Sequence, residues 1–86
     1  MNKTDLAYSA GFRRKMGLRV RQLRESRNMS QSALAKQLRI RPSFLQMIES
    51  GSREATTYIC LLLHRIFDVS LQYIITGKET GEKYAK

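Results

Sequence analysis

A single cysteine, Cys60, leaves this 86-residue chain unable to build an intrachain disulfide or a cysteine-based zinc site, which fits a reducing cytoplasm. Histidine is equally scarce. His64 is the only one, and it lies in an apolar stretch where a packed or interface imidazole is the expected role rather than a general base. The longest uninterrupted apolar run, Ile59–Leu63, is far too short to span a bilayer. No secretory leader is expected, since Asp5, Arg13, Arg14 and Lys15 break up the first apolar residues. Gly77-Lys78 is no phosphate loop, because the position five before Gly77 is Gln72 rather than glycine. A chain this short has little room for a catalytic cleft beside a core, so an enzyme, a cofactor and a metal are not expected.

Acidic residues are also few, with 7 against 16 Lys and Arg for a formal charge of +9. Residues 1–53 hold 12 of the basic residues and 3 acids, whereas residues 54–86 hold 4 of each. The net charge therefore sits in the first part, where a polyanion can be held by counterion release. The neutral second part is left for another task.

What is present is helical periodicity. Phe12, Met16, Val20 and Leu23 fall on one face of a first helix that ends near Asn28. Gly17 is expected to weaken it slightly. Ser30 suits the N-cap of a second helix carrying Leu34, Ala35 and Leu38. Pro42 suits the first position of a third, which turns Leu45 and Ile48 inward and closes at Gly51. Thr56 or Thr57 opens a fourth, running through Ile59, Leu62, Leu63, Ile66 and Phe67, and Ser70 opens a short fifth that Gly77 ends. The fold class expected is all-α, a compact bundle of about five short helices. Residues 1–15 read as a basic arm or helix extension, 16–77 as the domain, and 78–86 as a flexible polar tail.

The stretch Ser30–Arg53 closely resembles the Cro and phage-repressor, or XRE, type of helix-turn-helix. Arg24, Ser30-Gln31, Leu34-Ala35 and Glu49-Ser-Gly51-Ser-Arg53 stand at that family's spacing, and Val69-Ser-Leu71 with Ile74 resembles its fifth helix. Ala35 must be small where helices 2 and 3 cross. The resemblance implies a lambda-repressor-like fold, double-stranded DNA as the partner, and a buried ion pair of Arg24 with Glu49 joining helix 1 to helix 3. It also implies that Pro42, Ser43, Gln46 and Met47 face base edges, with Phe44 either at their flank or in the core. Gln46 is the best candidate for a specific contact, since its amide can pair with adenine. Gln31 and the first amides of helix 2 resemble the family's phosphate clamp, and Arg41, Ser52 and Arg53 are expected to add phosphate contacts. Arg13, Arg14, Lys15 and Arg19 form either a second phosphate-binding patch or a solvated face. The chain departs from the family at Ala33, where Glu would complete a capping box, and at Arg41, Ala55, His64 and Phe67.

Helix 4 is too apolar for one buried stripe, which points to a homodimer through Tyr58, Leu61, Leu62, Leu71 and Ile75 and to a palindromic operator. The function expected is a cytoplasmic, sequence-specific transcriptional regulator, a repressor. The competing reading is an antitoxin-like module that neutralises a partner protein and binds DNA secondarily.

Overall fold

The computed structural model describes residues 3–78, with side chains described from Ala10 onward. Its five helices are α1 Lys3–Ser26, α2 Gln31–Leu38, α3 Pro42–Ser50, α4 Thr57–Phe67 and α5 Leu71–Thr76. There is no strand among the described residues, and the expected all-α bundle of five helices is borne out. The backbone before residue 16 continues α1 from Lys3. Residues 79–86 of the expected polar tail lie outside the described residues.

Three helices begin in the same way. Ser30, Thr56 and Ser70 each hold an extended backbone, and each side-chain oxygen accepts the N–H three residues on, from Ala33, Ile59 and Tyr73. Such caps are worth about 0.5–2 kcal/mol each. α3 has no side-chain cap; Arg41 occupies the N-cap and Pro42 starts the helix with its φ already set. Gly51 and Gly77 end α3 and α5 in the left-handed region, at φ of 86° and 81°. Asn28, Arg39 and Asp68 reach the same region without being glycine.

The elements close around Val20, Leu34, Ala35, Leu38, Leu45, Ile48, Leu63 and Ile74, each nearly or completely buried. Ala35 is fully buried, as a small residue at a helix crossing must be. The closest approach involves a residue that carries no side chain. A Cβ at Gly17 would stand 2.2 Å from the carbonyl oxygen of Ile48 and 2.7 Å from that of Glu49, so α1 crosses α3 at a distance only glycine permits. Gly17 is thus a packing requirement rather than the mild weakness read from sequence.

Arginines on or just beyond α1 fasten α3, α4 and α5 by their carboxyl ends, where unpaired carbonyls and the negative end of the helix dipole favour a cation. Arg13 Nε donates to Gly51 O at the end of α3 (3.1 Å). Arg19 donates from Nε to Ile74 O (3.0 Å) and from Nη2 to Ile75 O (2.8 Å) at the end of α5. Burial there pushes the Arg19 pKa down. Arg27, just beyond α1, donates to Phe67 O at the end of α4 (3.1 Å) and lies 5.4 Å from the centre of the Phe67 ring.

Candidate nucleic-acid interface

α2 and α3 are held at a fixed angle by one polar cluster at the base of their junction. Arg24 donates to both oxygens of Glu49, from Nε to Oε2 at 2.7 Å and from Nη2 to Oε1 at 3.0 Å. Its Nη1 also reaches Met29 O in the turn before α2 (2.8 Å). Gln31 completes the cluster by donating from Nε2 to Glu49 Oε1 at 3.0 Å. The two charged side chains are only 11% and 4% exposed, so the fork of bonds is what makes the burial of charge tolerable. The hydrogen bonds to Glu49 raise the Arg24 pKa. Thus α1, the start of α2 and the end of α3 share one joint.

With α3 fixed, its sequence sorts into two faces. Leu45 and Ile48 are buried, while Pro42, Ser43 and Gln46 are exposed and Phe44 and Met47 are half-buried. Phe44 also packs against the core, so it is partly spent on folding. Gln46 lines a groove of about 350 Å³ together with Arg21, Arg24, Gln31, Glu49 and Ser50. That groove lies between α1, the beginning of α2 and the latter half of α3.

Cations flank this face. Arg41 is exposed at the N-cap of α3, and Arg53 is exposed in the turn beyond it. That turn is closed around Met47 O, which accepts from Ser52 N (2.9 Å), Arg53 N (3.2 Å), Ser52 Oγ (3.2 Å) and Ser50 Oγ (3.1 Å). Arg53 therefore projects from a rigid turn, whereas the Ser52 hydroxyl is already occupied within it. Gln31, the first residue of α2, keeps one amide hydrogen beyond its bond to Glu49.

Arg19 is placed elsewhere. Its guanidinium lies on the carboxyl end of α5 and not beside α3, because the side of α1 that bears residue 19 packs toward α5. The residues expected at a subunit interface also divide: Tyr58, Leu61 and Ile75 are exposed, at 58%, 43% and 38%, while Leu62 and Leu71 pack against the core. His64 turns its Nδ1 to Val69 O. Sequence reading misses Arg13 and Arg27 as structural clamps, and it misses Arg21 on the groove; the i, i+4 spacing of Arg21 and Glu25 is the available signal.

A short helix, a tight turn and a second helix with an exposed polar face between two cations define a helix-turn-helix DNA-binding fold of the Cro and phage-repressor type. The family described as helix-turn-helix matches residues 20–74, more than half of the chain, and the chain belongs to that family. Among its relatives are two proteins of Mycobacterium tuberculosis. It is 40% identical over 65 residues to the HTH-type transcriptional regulator RamB, covering 76% of this chain and 14% of that protein. It is 42% identical over 63 residues to the HTH-type transcriptional regulator PrpR, covering 73% of this chain and 13% of that protein. The chain thus spans only a small part of the length of the relatives it matches. No solved structure matches it at a comparable level.

Proposed function

We propose that the protein is a sequence-specific DNA-binding transcriptional regulator, a repressor, which sets α3 in the major groove and binds a palindromic operator as a homodimer. The observation that carries this reading is the exposed Pro42, Ser43 and Gln46 on a helix whose other face is buried and whose end is locked by the Arg24–Glu49 fork. A helix held this rigidly presents its polar side chains to base edges at little further ordering cost. Gln46 pairs with a base, Ser43 and Met47 add contacts, and Arg41, Arg53 and the amino end of α2 hold phosphates on either side. The second copy docks on the α4 and α5 side through Tyr58, Leu61 and Ile75.

The names of the relatives support the regulator part of this reading. Selecting bound duplexes from a random pool at fixed salt tests it. The expected product is a symmetric site with half-sites about 34 Å apart, one helical turn, or a multiple of that. A pool that stays random after repeated selection would overturn the reading.

A further inference from the structure

We propose that Arg21 is a DNA-backbone contact residue and that Glu25 holds it in reserve until DNA arrives. This rests on the reading of α3 as the DNA-facing helix and extends that site to α1. Four of the arginines on or just beyond α1 are already engaged. Arg13, Arg19 and Arg27 are committed to backbone carbonyls at the ends of α3, α5 and α4, and Arg24 to Glu49 and Met29 O. Arg21 is disposed differently. It lies one helical turn before Arg24 on the side of α1 that meets α3, and it lines the groove shared with Gln31, Gln46 and Ser50. Its Nε donates to Glu25 Oε2 at 3.0 Å, and the two side chains are 57% and 52% exposed.

An exposed pair of this kind is worth little, because water screens it and two long side chains must be held in place. A DNA phosphate entering the groove beside Gln46 competes for the same guanidinium with a higher local charge density and releases a condensed counterion as it binds. Arg21 then exchanges one oxygen acceptor for another with a side-chain rotation and no change in the fold. Glu25 is left near Arg24, whose Nη2 already lies 4.0 Å from it, so the released carboxylate keeps a cationic neighbour. The pair therefore sets the affinity of the site without belonging to its rigid joint.

The test measures binding to the selected duplex and to an unrelated duplex across a salt series for the unaltered protein, Arg21→Ala, Arg21→Lys, Glu25→Gln and the double variant. Arg21→Ala is expected to weaken both duplexes alike and to make the log–log salt slope shallower by about 0.9, while Arg21→Lys keeps most of the slope. Glu25→Gln is expected to tighten binding by about two- to fivefold, and that gain is expected to vanish once Arg21 is gone. Melting temperatures of all variants are expected to stay close to that of the unaltered chain. A salt slope unchanged in Arg21→Ala overturns the contact. A gain from Glu25→Gln that persists without Arg21 shows general repulsion of DNA by the carboxylate and overturns the reserve. Absence of DNA binding by the unaltered protein overturns the regulator reading itself, and this inference with it.

Discussion

Gly17 and Arg24 lie about two turns apart on α1 and govern the same joint with α3, one by the absence of a side chain and the other by its charge. In an ordinary helix interior, glycine to alanine stabilises by about 0.5–1 kcal/mol. At Gly17 the added methyl would meet the Ile48 and Glu49 carbonyls at 2.2 and 2.7 Å, so Gly17→Ala is expected to lower the melting temperature. An equal or higher melting temperature would show that α1 and α3 can part without cost. Glu49→Ala strands the buried Arg24 guanidinium and is expected to destabilise by roughly 3–5 kcal/mol, whereas Glu25→Ala, which removes only an exposed pair, is expected to stay within about 1 kcal/mol. Chemical denaturation of the two variants side by side measures the difference, and equal losses would mean that the Arg24–Glu49 fork is solvated. The raised Arg24 pKa fixes the sign of its pH dependence: this contribution is fully present below the unfolded-state arginine value and is lost only as pH rises through the still higher folded value, in strong alkali. The motif spacing alone makes Arg24 and Glu49 legible as partners. The role of Gly17 is not legible in that way, because it depends on where a second helix crosses, and nothing in the residues around position 17 encodes that.

The short helices are defined mostly by their ends. Ser30, Thr56, Ser70, Pro42, Gly51 and Gly77 are legible as starts and stops because each acts through its own backbone or hydroxyl on neighbours a few residues away. Arg39 and Asp68 are harder to read as left-handed caps, since neither is the glycine that the conformation favours. The arginine clamps are illegible for a different reason. A sequence count assigns Arg13, Arg19 and Arg27 to the basic surface, and only the arrangement of α3, α5 and α4 around α1 shows that their charge is spent within the fold. The basic half of the chain therefore offers a polyanion fewer uncommitted cations than its charge suggests; among the described residues, Arg14, Lys15, Arg21, Lys36, Arg39, Arg41 and Arg53 are exposed and make no bond to a backbone carbonyl. α2 has only 8 residues and no capping box, so its single hydroxyl cap should matter more than usual. Ser30→Ala is expected to cost about 0.5–2 kcal/mol and to raise amide exchange across the first turn of α2. Unchanged exchange there would show that packing of Leu34, Ala35 and Leu38 alone fixes the helix.

At the scale of the whole molecule, the apolar excess of the second half is legible in the sequence as an excess but not as a surface. Leu62 and Leu71 fill space against the core, and Tyr58, Leu61 and Ile75 remain outside. A homodimer built on those three should separate when one becomes charged. Leu61→Glu is expected to sediment as a folded monomer with weakened operator binding, and an unaltered protein that is itself monomeric at tens of micromolar would refute the dimer.

The division of labour proposed for the DNA-binding face is that α3 reads bases while the turn after it grips the backbone. Comparing Gln46→Ala with Arg53→Ala on the selected duplex, on single-base variants of it and across a salt series separates the two roles in one experiment. Gln46→Ala is expected to lose about 1–3 kcal/mol on the preferred site and to relax preference at one base pair with the salt slope kept, whereas Arg53→Ala is expected to weaken every duplex alike and to make the slope shallower by about one unit. If Gln46→Ala instead left the ranking of all duplexes unchanged, α3 would not be reading DNA through that residue, and the assignment of its exposed face would be contradicted.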